Sequence, residues 1–163
     1  MDETHRFFDV DIRLPAGWDN HSTLLFTGPP MPAVDGLPTV AAQQPLHSGS
    51  VVLQRLGRVP EKVGASELLA AKVQELQAQG VFLPKRQESH EDGAKSWAWQ
   101  VGTVQDVLPA TQLVGVALQR TGDDVVAALV LATAPAAVFA TQEASFVSVL
   151  QSVSFATPEG SAS

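Results

Sequence analysis

The residues that could support chemistry are few and widely spaced in this sequence. The four histidines, His5, His21, His47 and His90, show no His-x-His or His-x3-His spacing, so a metal site would need ligands from distant positions. There is no cysteine, which excludes thiolate metal ligands, disulfides and thiol nucleophiles. We therefore expect no metal centre and no cofactor.

Two acidic clusters remain as candidates for acid–base chemistry. Asp9 and Asp11 share one parity of a predicted strand, but Arg13 has the same parity, and a solvated strand face explains all three. Segment 90–92 precedes Gly93 between two predicted strands, which is typical of a hairpin turn. No Gly-x-Ser-x-Gly elbow and no glycine-rich phosphate loop occurs. We expect a protein that is not an enzyme.

The charge balance narrows the class of partner. The 163 residues include 17 Asp and Glu against 10 Lys and Arg, a formal net charge of −7, which argues against nucleic acid because binding the phosphate backbone depends on basic residues. The N-terminus is acidic and lacks an apolar signal region, which predicts a cytoplasmic protein. Segment 125–142 is uncharged but contains Pro135 and falls short of the roughly 20 residues of a membrane span. It predicts a buried strand followed by a helix, without stable membrane insertion.

Periodicity predicts the elements of the first half. Segment 8–14 alternates apolar and charged residues, as a half-buried strand does, and segments 22–27 and 51–56 are further strands separated by a long loop at 29–49. A helix follows, with Ser66 as its N-cap and Gly80 after its end.

The second half reads as four strands and a last helix. The strands are 81–88, 95–101, 111–120 and 125–133, with turn signals between them, and Pro135 is expected to open the helix. The sequence therefore predicts a single α+β domain at 1–156, a mostly antiparallel sheet of about six or seven strands with two main helices. A disordered tail is expected at 157–163.

The late strands are apolar at both parities, so both of their faces must be covered. The two helices could cover one face, or one face and part of the other, leaving the remainder to a dimer partner, a ligand or another protein. Small residues and glutamines suit a groove for apolar helices, although they could equally form the second half of an ordinary core. The predicted partner-binding residues are Gln54, Ala98, Gln100, Leu113, Gly115, Ala117, Gln119, Val126, Ala128 and Val130.

Two further expectations concern the strand face that carries these small residues. Trp97 and Trp99 have the opposite parity to Ala98, and either pack in the core or anchor an interface. Gly115→Trp or Ala117→Asp is expected to abolish partner binding and to leave the fold intact.

The order of the motifs resembles the DcrB-like domains of the PsbP-like fold. The resemblance covers 7–155 and includes the opening at 7–18, the strand ending near Gln54, the Trp97-Ala98-Trp99 strand and the closing helix at 146–155. Because signal peptide and lipoprotein anchor are both missing, the chain is similar to the cytoplasmic Eag-type chaperones of type VI secretion.

This resemblance implies a bacterial chaperone that acts as a homodimer and holds the apolar transmembrane helices of an effector before export. It carries over no catalytic residue, since that family is not enzymatic. The alternative is a structural or regulatory interaction module of the same fold that binds a soluble partner.

Overall fold

The computed structural model describes residues 3–7, 10–14, 22–28, 48–80, 82–104 and 109–155. Alternating and doubly apolar runs form its strands, and the two segments with helical periodicity form its helices. The elements in chain order are β1 (Glu3–Phe7), β2 (Val10–Leu14), β3 (Thr23–Thr27), β4 (Ser50–Val59), α1 (Ala65–Ala78), β5 (Phe82–Asp92), β6 (Lys95–Val104), β7 (Ala110–Thr121), β8 (Asp124–Pro135) and α2 (Phe139–Ser152).

Six of these strands form one antiparallel sheet in the order β3-β4-β8-β7-β6-β5, and β1 pairs separately with β2. The predicted turns at Gly93 and Gly122 connect β5 to β6 and β7 to β8. Both glycines have positive φ, 59° and 63°, a conformation that two-residue hairpin turns favour. The predicted α+β fold with a mostly antiparallel sheet and two main helices is confirmed.

The two helices lie on opposite faces of the sheet, which explains why the late strands are apolar at both parities. Leu69 and Val73 of α1 pack with Val114 and Val116 of β7 on one side, the α1 face. On the other side, the α2 face, α2 packs through three buried side chains against β7 and β8. The α2-face core residues are Trp97, Trp99, Val101, Leu113, Ala117, Val130, Ala132, Ala134, Phe139, Phe146 and Leu150.

The ends of the helices correct two predictions. Helix α1 begins at Ala65 with Gly64 as its N-cap and no side-chain hydrogen bond, so Ser66 lies within the first turn and is not the N-cap. Pro135 does not open α2, because it still pairs with Ala110 of β7 at the end of β8, and a turn precedes the helix. The predicted position of Gly80 just after α1 is confirmed by its φ of 72°.

At the N-terminus, strand β1 was not predicted, and the predicted strand at 8–14 is observed as β2 at 10–14. Segment 125–142 is predicted to form a buried strand followed by a helix, and β8 and α2 confirm this prediction. Most of the loop predicted at 29–49 lies outside the described residues, as does the tail predicted at 157–163.

Candidate functional site

Several of the described charged side chains form ion pairs on the surface, and none of the described side chains forms a cluster suited to a metal. No group of three or more His, Asp and Glu side chains within the described ranges could hold an ion. Arg120 pairs with Glu61 at 2.9 Å, and Arg86 contacts both Glu88 and Glu143. Exposed ion pairs of this kind each contribute about 0–1 kcal/mol to folding stability. We interpret them as surface contacts and not as parts of a functional site.

His90 packs against an aromatic side chain. It lies near the end of β5, and its ring stacks on Trp97 with 5.7 Å between the centroids and 18° between the planes. Segment 90–92, predicted as a turn, forms the last residues of β5, and the turn itself begins at Gly93. His90 therefore covers one face of the Trp97 ring, and Trp97 is a core residue.

The predicted partner-binding residues do not share one face. In an antiparallel pair, directly opposed residues project to the same side. Trp99 opposes Gly115, whereas Ala98 opposes Val116, so Ala98 is on the α1 face and Gly115 is on the α2 face. The α1 face holds Gln54, Ala98 and Gln100; the α2 face holds Leu113, Gly115, Ala117, Gln119, Val126, Ala128 and Val130. The prediction that Ala98 and Gln100 share a face with Gly115 is therefore wrong.

Of the α2-face members, Leu113, Gly115, Ala117 and Val130 form the floor beneath the chain's own helix. A Cβ at Gly115 would lie 2.7 and 2.9 Å from the two Cδ atoms of Leu150, which is itself fully buried. Small residues thus allow a helix to approach the sheet, as the sequence suggested, and the helix that does so is α2. Whether these residues also bind a partner stays a prediction.

Polar contacts fix the end of α2 over the same floor. The amide of Gln119 exchanges two hydrogen bonds with the backbone of Phe155, accepting from its N–H at 2.9 Å and donating to its C=O at 3.3 Å. At the other side of the helix, Glu143 pairs with Arg86 of β5. Trp97 and Trp99 lie in this covered region and are each only 6% exposed, which favours core packing over an interface anchor.

The sheet is covered unevenly, and the β3–β4 side has the least helix packed against it. Among the described elements, α1 packs on β5, β6 and β7, and α2 packs on β7 and β8. Leu25 and Val52 belong to neither core cluster. Leu25 is 66% exposed, the largest exposed fraction among the large hydrophobic residues of the described chain.

These side chains form a continuous surface that we call the edge patch, made of Leu25, Val52, Gln54 and Leu131. Leu25 opposes Val52, and Val52 opposes Leu131, so three apolar side chains run straight across β3, β4 and β8 on the α1 face. Half-buried Gln54 lies beside this row. Segments 23–27 and 50–54 contain no charged residue, so the edge patch is both apolar and uncharged.

Of the edge patch, sequence reasoning identified only Gln54. Its apolar members were missed, although the uncharged run at 22–27 was an available signal.

Within the described chain, no helix is long and apolar enough to cross a membrane.

Comparisons with known proteins establish the fold. No family model matches the chain, and no curated protein matches it in sequence. The structure is similar to PA94 from Pseudomonas aeruginosa, a protein of unknown function described as a candidate regulator, with a TM-score of 0.61 and 13% identity over 95% of this chain and 97% of the other. It is also similar to LpqN of Mycobacterium tuberculosis, which is involved in cell envelope biogenesis, with a TM-score of 0.52 and 13% identity over 87% and 88% of the two chains.

Proposed function

We propose that this chain is a non-enzymatic protein-binding module that shields apolar helices of a partner protein, as a chaperone for a type VI secretion effector. The observation that carries the proposal is the edge patch, an uncharged apolar surface on a sheet whose other half is covered by two helices. The resemblance to the Eag-type chaperones supplies the class of client. The structural neighbours support the fold.

The physical basis is the cost of exposing a membrane helix to water. Each square ångström of exposed apolar surface costs about 25 cal/mol, so a carrier must offer an apolar surface and remain soluble itself. Leu25 and Val52 offer such a surface, and the net charge of −7 is carried outside segments 23–27 and 50–54. Gln54 adds an amide that can donate to and accept from polar groups of a helix.

We propose further that the chain works as a cytoplasmic homodimer. Two copies would present two edge patches, which matches a client with a pair of apolar helices. The partner is then a protein, with no role for nucleic acid or for stable insertion of the chain into a membrane.

Leu25→Asp is expected to weaken binding of an apolar helix at least roughly tenfold, a loss of about 1.4 kcal/mol, because an unpaired carboxylate would be buried at the contact. Leu83→Asp is the matched control, since Leu83 is also an exposed leucine, at 51%, and lies on β5 at the opposite edge. The probe is a labelled synthetic helix of leucine and alanine with lysine ends, followed by fluorescence anisotropy.

The outcome separates the two candidate functions. Binding by the wild-type protein and Leu83→Asp, but not by Leu25→Asp, supports the chaperone. If the wild-type protein ignores the apolar helix, and light scattering shows a monomer, the chaperone proposal fails. An interaction module for a soluble partner then takes its place.

A further inference from the structure

The backbone of β3 presents hydrogen-bonding groups outward, away from the sheet. The N–H of Arg55 donates to the C=O of Ser22, and the N–H of Gly28 donates to the C=O of Gly49, so even-numbered positions of this segment point toward β4. Strand geometry alternates these directions along the chain. The N–H and C=O groups of Thr23, Leu25 and Thr27 therefore point away from β4.

These outward groups have no hydrogen-bond partner in the described structure, where β3 is the end strand of its sheet. All three residues are exposed. Backbone N–H and C=O groups at every second residue are the hydrogen-bonding pattern that a further strand requires.

The opposite edge of the sheet shows what a protected edge looks like. Strand β5 contains Pro84, an irregularity in register between Pro84 and Arg86, and several charged residues, all of which oppose pairing with another strand. Strand β3, with the sequence Thr-Leu-Leu-Phe-Thr, has no proline, no charge and no register shift. The two edges of one sheet are therefore protected to very different degrees.

We propose that β3 binds an extended, uncharged segment of a partner protein, which adds to the sheet as a further strand. This goes beyond the proposed function, because the contact is made by backbone hydrogen bonds at the edge of the sheet and not by side chains on its face. Alternate side chains of the added strand would extend the row of the edge patch past Leu25.

The strand length favours a partner segment over a second copy of this chain. Two five-residue strands meeting edge to edge would bury far less than the roughly 1,200 Å² that specific, stable interfaces need at minimum. An extended segment that adds to a sheet edge is not subject to that minimum, because its main-chain hydrogen bonds supply the affinity.

The experiment uses the blocked peptide Lys-Thr-Val-Thr-Val-Thr-Lys and amide hydrogen exchange by NMR. With the peptide bound, the amide protons of Thr23, Leu25 and Thr27 are expected to exchange at least roughly ten times more slowly, while those of Leu24 and Phe26 change little because they already face β4. The control peptide, Lys-Thr-Val-Pro-Pro-Thr-Lys, has the same charge and lacks the N–H groups of two successive residues, one of which faces β3 in either register.

Two substitutions at one position separate the backbone from the side chain. Leu25→Pro removes the outward N–H and should weaken peptide binding at least tenfold, whereas Leu25→Ala keeps it and should stay within about threefold of the wild type. Circular dichroism shows whether the Leu25→Pro variant is folded. If that variant is unfolded, the control peptide still tests whether binding needs a backbone N–H at the contact.

Equal binding of both peptides, or slower exchange at Leu24 and Phe26 only, would overturn the proposal. Dimers that form without peptide and disappear in Leu25→Pro would assign the edge to a second copy and overturn the proposed occupant.

Discussion

Gly115→Val is expected to lower the free energy of unfolding by up to about 3 kcal/mol, the upper range for adding volume to a packed core. The new Cβ would lie 2.7 and 2.9 Å from the Cδ atoms of Leu150 and 3.3 Å from Cδ2 of Leu113. Both leucines are fully buried, so neither can move aside without displacing its neighbours. Urea denaturation followed by circular dichroism measures the change.

A second substitution tests whether Leu150 is the cause. Leu150→Ala makes room for the larger side chain, so the double variant should be more stable than the sum of the single effects predicts, by about 0.5–3 kcal/mol. Gly64→Ser is the control, since a Cβ there meets nothing within 4 Å and serine is a preferred residue at a helix N-cap. Strict additivity of the double variant would contradict the seating of α2 on Gly115.

Because Gly115 lies against Leu150 of α2, a substitution in the predicted groove affects folding as well as binding. Gly115→Trp was expected to abolish partner binding and to leave the fold intact, but a larger side chain there must push α2 off the sheet. Ala117 is also buried on the α2 face, so a carboxylate at that position would be desolvated. Loss of binding in either variant would report loss of folding.

Local sequence signals predicted the elements well where turns are short. Gly93 and Gly122 each sit in a two-residue turn, and such turns fix both the pairing and the register of the strands they connect. The period of two then gives each strand its two faces. The antiparallel pairs β5-β6 and β7-β8 follow from these features alone.

The same signals could not assign faces between β6 and β7. The connection at 105–109 is too long to be a two-residue turn, so it does not set the register, and a one-residue shift exchanges the two faces. The sequence therefore placed Ala98 with Gly115, whereas the structure places Trp99 beside Gly115. Small residue size was a poor guide because both faces of the central strands are packed.

The edge patch depends on pairings between distant parts of the chain. Strand β4 lies between β3 and β8, and its contact with β8 joins residues such as Val52 and Leu131 that are far apart in sequence. The run at 22–27 predicts a strand, but only the long-range pairing makes it the edge. A strand in which apolar and polar residues alternate would have indicated which of its faces is exposed. Leu24, Leu25 and Phe26 are all apolar, so this run carries no such signal.

Leu69→Ala is expected to cost about 3 kcal/mol of stability, within the 2–5 kcal/mol typical of leucine truncation in a core, because Leu69 is fully buried between α1 and the sheet. The exposed Ala70→Ser, one position on, is the control and should change stability by less than about 0.5 kcal/mol. Leu150 lies in the separate cluster on the other face, so the effects of Leu69→Ala and Leu150→Ala should add to within about 0.5 kcal/mol. A coupling larger than about 1 kcal/mol would show that the two faces do not pack independently, because contacts would then be shared through the sheet.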